Sequence, residues 1–307
     1  MSTTVKTSRG SHIGRIIVIA RHAFTQLVRM KVFYFLAVFA VIAICSNFFD
    51  LPQHEGPESV GVNVLRSIKS WSLGTMTLFS VVLSIVATAL LLPKDVEDRT
   101  LYTILAKPVP RLDYLAGKLL GVMLLVFVSL AMMDVLMTIV LQIRTSLVWQ
   151  QQLEMATAHG ASQDVIQSWK METYGDGPTW SLQGAVFAVF LRSAIMASLA
   201  LLISTFSTST LFTTIISFLI YFIGHFQADA RDAFLQSGHA GQSMLTRGAS
   251  LLLSLVLPDF QNFNVIDAVI EGQVMPLWIL GKLTVIGLYY AVFFIMASWF
   301  VFSDKEF

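Results

Sequence analysis

From Trp71 to Pro93 the chain reads WSLGTMTLFSVVLSIVATALLLP, 23 residues without a single charge. Lipid offers no hydrogen-bond partner to backbone N–H and C=O groups, so a run of about 20 such residues folds as a membrane-crossing helix. Comparable runs occupy residues 32–49, 119–143, 182–203, 211–226 and 276–302. The expected fold is an all-α integral membrane protein with six transmembrane helices, the fifth short and the sixth long enough to tilt. Composition points the same way. Only 13% of the 307 residues are charged and 55% are hydrophobic, whereas a soluble domain carries about 25% charged residues.

The connections between the runs set the orientation. Residues 1–31 carry six Lys and Arg and no acid, residues 94–118 carry five, and the tail adds Lys305. The loops at 50–70, 144–181 and 227–275 carry two each. Basic connections stay in the cytoplasm, so both termini and the 94–118 block are expected there, with those three loops outside. Residues 1–307 then form one transmembrane domain, with a cytoplasmic segment 1–31 leading into a six-span region 32–307. The basic stretch is too long for a signal peptide and lacks a small-residue cleavage site, so the first run is expected to remain as a helix. A net charge of +1 gives no electrostatic case for nucleic acid, and one cysteine, Cys45, gives no disulfide framework.

Three further segments have a readable shape. In residues 13–31, Ile13, Ile16, Ile17, Ala20, Phe24, Leu27 and Val28 recur at helical spacing, away from Arg15, His22, Gln26 and Arg29. This is a helix lying in the headgroup region or a cytosolic extension of the first span. SLLLSLVLP, residues 250–258, is too short to cross and is expected as a re-entrant or interfacial helix ended by Pro258. The 144–181 loop is expected as a short helix, a glycine break, a second short helix and a turn.

The polar block DRTLYTILAKPVPRLDYLAGK stands between two of the apolar runs. Asp95 is placed to cap a helix from Val96, with Glu97 and Asp98 in the first turn, where the helix dipole favours acids. Leu101, Ile104 and Leu105 make an apolar stripe, and Pro108 and Pro110 stop the helix before Arg111. Such an element suits docking of a soluble partner; an ordinary positive-inside connection reads the same.

At these residues the chain resembles a family. Glu97, Arg99-Thr100, Leu105, Lys107-Pro108-Val109, Arg111, Tyr114 and Gly117-Lys118 resemble the signature of ABC-2 type permeases, in the branch linked to multi-copper enzyme maturation and gliding motility. LSLVLPDFQNFNV, residues 253–265, resembles the LP-x-x-x-x-FN segment before the last span in that branch. The resemblance implies a permease in the cytoplasmic (inner) membrane of a prokaryote, paired with a second copy or a related permease. The polar block would be its coupling helix, seated in an ABC ATPase subunit. Glu97, Thr100, Leu101, Leu105, Pro108 and Arg111 would touch that ATPase, and the segment before the last span would be re-entrant.

ATP and Mg would belong to the partner, because this chain has no G-x-x-x-x-G-K-[ST] to cradle phosphates: Gly117-Lys118 is followed by Leu119. No hydrolase elbow, zincin motif or paired cysteine motif appears, so no enzymatic centre, cofactor or metal is expected in the chain itself. Asp134 and Arg192 fall inside the spans. Counted from the ends of their apolar runs, they lie at similar depth, which suggests a buried salt bridge between the third and fourth spans. STFSTST, residues 204–210, reads as a tight helical turn or a second ATPase contact. Gly184, Ala185, Ala188, Gly281 and Gly287 are small enough to let helices approach closely. Two rival classes remain at this level: a membrane scaffold that uses the ATPase without transport, and a secondary transporter.

Overall fold

The computed structural model describes residues 12–45, 62–97, 109–207, 209–236 and 257–303. In chain order they form α1 (His12–Val28), α2 (Lys31–Cys45), α3 (Val62–Glu97), α4 (Arg111–Ala158), α5 (Gln163–Gly175), α6 (Trp180–Phe206) and α7 (Thr210–Gln236). A 3-10 turn (Phe260–Phe263), α8 (Ile266–Ile270) and α9 (Leu277–Ser303) follow. The chain is thus an all-α, multi-span membrane protein. Four helical segments, not six, are long and apolar enough to cross a bilayer among the described residues, and they contain α3, α4, α6 and α9. Helix α2 has 15 residues and the apolar part of α7 covers only Thr210–Phe226. At 1.5 Å per residue each falls short of a hydrocarbon core of about 30 Å.

Helix α6 is the centre, with α3, α4 and α9 packed around it. Its sequence explains why. It is apolar on every side, so it belongs in the interior, and Gly184, Ala185, Ala188, Ala194 and Ala197 let neighbours come close. A Cβ on Gly184 would meet the Met275 sulfur at 2.9 Å, and one on Gly287 would meet Leu191 at 3.3 Å. Gly281 faces open space instead. In the apolar part of α3, Thr77, Ser84 and Thr88 are neutralised within the helix, donating to the carbonyls of Leu73, Val81 and Ser84. Ser193 of α6 also bonds Ser80 of α3 at 2.8 Å.

Helix α4 is 48 residues long, about 72 Å, more than twice what a bilayer core needs. Gln183, three residues past Trp180 at the start of α6, bonds Asp134 at 3.1 Å. The 24 residues from Val135 to Ala158 therefore carry α4 some 35 Å beyond that level. Gly160 reverses the chain at φ +63°, a conformation that glycine adopts without strain. Helix α5 then returns, tied back by Thr173 to Gln152 at 2.6 Å. The expected helix, glycine break, helix and turn are all present, with the first helix continuous with α4.

Helix α1 is docked as well as amphipathic. Ala23 and Leu27 are buried, while Ile13, Ile17 and Val18 point outward. Its inner face meets Gly117 and Gly121 of α4, where added Cβ atoms would stand 2.7 Å from the Ile19 side chain and 2.6 Å from the Ala23 Cβ. The STFSTST run is a tight turn: α6 ends at Phe206, α7 begins at Thr210, and Ser209 accepts from the Phe212 N–H.

Candidate functional site

Helices α3 and α4 leave the bundle at the same end, and the 98–108 connection joins them. Thr100, Leu101, Leu105 and Pro108 lie outside the described residues, and of Glu97 only its place at the end of α3 is described. What the structure builds is the footing of that connection. Asp95 does not start a new helix, because α3 runs unbroken to Glu97. Its carboxylate instead turns inward, 2.6 Å from the Lys118 ammonium, and accepts a short hydrogen bond from the Tyr114 hydroxyl. All three residues are buried. Tyr114 and Lys118 are four apart on α4 and so share a face, which lets both reach one carboxylate. Lys118 also reaches Gln26 of α1 at 3.5 Å.

The first turn of α4 collects two more anchors. Asp113 accepts from Arg15 Nε at 3.0 Å and pairs with His12 at the same distance, tying α1 to α4. Arg111 donates to the carbonyls of Phe302 and Ser303, and its guanidinium lies 5.9 Å from the Phe302 ring centre. Unpaired carbonyls collect at a helix C-terminus, so a cation there satisfies both charge and hydrogen bonding. The helix ends α1, α3, α4 and α9 are thereby joined around one base. At the opposite end, Asp176 gathers Lys69 and Arg66 at 3.3 Å each and fastens the turn before α6 to α3.

Asp134 and Arg192 do not meet. Asp134 is bonded by Gln183, nine residues and about 14 Å along α6 from Arg192. The depth expected from sequence was counted from the end of an apolar run, whereas α4 continues through that run to Ala158. Arg192 turns toward the segment that precedes α9. Its guanidinium donates to the Phe260 carbonyl at 3.0 Å, with the Tyr221 hydroxyl beside it. Phe260 and Phe263 are buried, and the Phe260 ring lies 5.4 Å from that of Tyr221. The Asp259 side chain caps the 3-10 turn at the Gln261 N–H, and a Cβ on Gly224 would stand 2.6 Å from the Pro258 carbonyl. LPDFQNFN is thus an irregular segment anchored by its buried Pro258, Phe260 and Phe263 and clasped by α6 and α7, with its polar backbone partly satisfied by an arginine. The part expected as a re-entrant helix falls mostly in residues 250–256, outside the described residues.

The Asp95–Tyr114–Lys118 and Asp113 clusters were missed in the sequence, where Asp95 read as a helix cap and Tyr114 and Lys118 as part of the permease-like signature. The signal was the Tyr114/Lys118 spacing beside Gly117 and Gly121, a small-x-x-x-small face that seats another helix. Compared with protein-family models and with curated proteins, the sequence matches none.

Proposed function

We propose that this chain is the membrane-spanning subunit of an ATP-driven ABC-2 type transporter, acting as a dimer of permeases in a prokaryotic inner membrane. The 95–111 segment couples it to a separate ABC ATPase that holds the ATP and Mg. In this proposal α2 and α7 complete six crossings, and both termini face the cytoplasm. One observation carries it: the connection bearing the permease-like motif springs from a buried, ion-paired base that joins α1, α3, α4 and α9. A push on that connection would move four helices together instead of bending a loop.

Purification from native membranes tests this. A chain carrying G-x-x-x-x-G-K-[ST] should accompany the wild type, and Leu101→Asp or Leu105→Asp should lose it while still inserting. Retention of the ATPase by both variants, or its absence from the wild-type preparation, would overturn the proposal. A scaffold role has one specific support, the α4–α5 hairpin that stands well beyond the level of Trp180. If that is its working surface, deleting the hairpin abolishes partner binding and leaves ATPase association intact.

A further inference from the structure

Arg192 is the thirteenth of the 27 residues of α6, so it sits near the middle of a spanning helix, and it is 4% exposed. A cation at such a depth is costly and normally takes an acid as partner. Arg192 forms no ion pair among the described residues. Asp134 is occupied by Gln183, and Asp259 turns its carboxylate to its own backbone at Gln261. The Phe260 carbonyl and the Tyr221 hydroxyl each take a guanidinium N–H, and the buried Nε–H has no partner. A second buried polar atom nearby is in the same condition. His225 stacks on Tyr221 one turn earlier in α7, ring centres 6.4 Å apart, and its Nδ1 has no partner either.

We propose that Arg192, Tyr221 and His225 form a binding site for one oxyanion, a phosphate or a carboxylate. Such a group accepts from the vacant Nε–H of the guanidinium, and it selects the imidazole tautomer that carries its proton on Nδ1. Its negative charge supplies a counterion that the described side chains of α6 and α7 do not. A backbone carbonyl or a water could fill the vacant donor, but neither would neutralise the cation. The LPDFQNFN segment closes one side of the site through Phe260, so binding there would also fix that segment.

The oxyanion has two possible sources, a free anion or the headgroup of a lipid-like molecule. A resting phospholipid keeps its phosphate about 15 Å from the bilayer centre, so a headgroup would have to be drawn inward along α6 and α7. The site requires no ATPase, and its test is independent of the transport proposal.

The purified chain in zwitterionic nanodiscs is titrated with inorganic phosphate, dioleoyl phosphatidic acid and dodecanoate, with diacylglycerol as the uncharged control. Saturable binding of one anion per chain, with a raised thermal midpoint, is the expected result. Phosphate binding identifies a free anion; binding of phosphatidic acid or dodecanoate without phosphate identifies an amphiphile. Arg192→Met should weaken binding about tenfold or more. His225→Leu leaves the bond to Phe260 in place and should weaken it about threefold. If the folded wild type binds none of the three anions, or if both variants bind as it does, the site does not exist.

Discussion

Lys118 and Arg192 are both buried cations, 1% and 4% exposed, and the molecule treats them in opposite ways. Lys118 has an acid at 2.6 Å and a tyrosine sharing that acid. Arg192 has a backbone carbonyl and a tyrosine hydroxyl, and no acid among the described residues. Burying either charge costs several kcal/mol, but only at Lys118 does the resting structure return that cost through a partner. A compensated pair holds helices together and asks for nothing more. A buried cation with no acid beside it is held in place by the surrounding helices, and that is the ground of the oxyanion proposal.

The comparison breaks most visibly at Lys118. Lys118→Met strands the Asp95 carboxylate and should cost about 3–5 kcal/mol, read as a large fall in the unfolding midpoint in detergent. Adding Asp95→Leu should recover much of the loss, since two apolar groups replace a pair. Additive losses in that double-mutant cycle would show that the two residues act separately.

Which parts of this were legible beforehand follows from physical range. The apolar runs of α3, α4, α6 and α9 are local signals, as are the helix–glycine–helix order around Gly160 and the turn at 204–210. Partner choice is not local. Asp95 and Lys118 lie on different helices, and nothing in a single chain says that one polar block will fold its carboxylate inward. Arg192 shows the converse: its depth was legible, but its partner depended on the length of α4, which outruns its own apolar stretch. Of the six runs read as crossings, those of α2 and α7 are the two whose described apolar helices are too short to span a bilayer core unaided.

The α1 docking face gives the next effect. Gly121→Ala places a methyl group 2.6 Å from the Ala23 Cβ and 2.8 Å from the Ala20 carbonyl, so the α1 backbone must move. Overpacking of this kind costs about 1–3 kcal/mol. Faster proteolysis within residues 12–31 should accompany it, because the polar ties to Asp113 and Lys118 would then hold α1 without its close-packed face. Gly281→Ala meets nothing within 4 Å and serves as the control: it should be neutral or stabilise slightly through helix propensity. Equal losses from the two substitutions would remove close packing as the reason for Gly121.

Arg192→Met sharpens the opening contrast. It deprives the Phe260 carbonyl of its donor, a cost of about 1–3 kcal/mol, and relieves a buried charge that has no counterion. The two effects oppose each other, so the ligand-free variant should stay within about 1 kcal/mol of the wild type. A loss as large as that from Lys118→Met would mean that the guanidinium is already compensated, and the distinction between the two cations would fall.

Arg111→Ala should give the smallest change in stability. Its side chain stays partly exposed while closing the last turn of α9 through the Phe302 and Ser303 carbonyls. A cation at a helix C-terminus contributes about 0.3–1 kcal/mol, and Arg111→Lys should keep part of it by supplying the charge without the fork. The proposed ATPase contact makes a different demand on the same residue. If Arg111 serves only as a cap, the unfolding midpoint and ATPase association should shift together, and only slightly, in both variants. If it also meets the ATPase, Arg111→Ala should lower association far more than stability. Because Arg111 joins α4 to α9 at the foot of the 98–108 connection, that split would distinguish a residue that closes the base from one that also passes force through it.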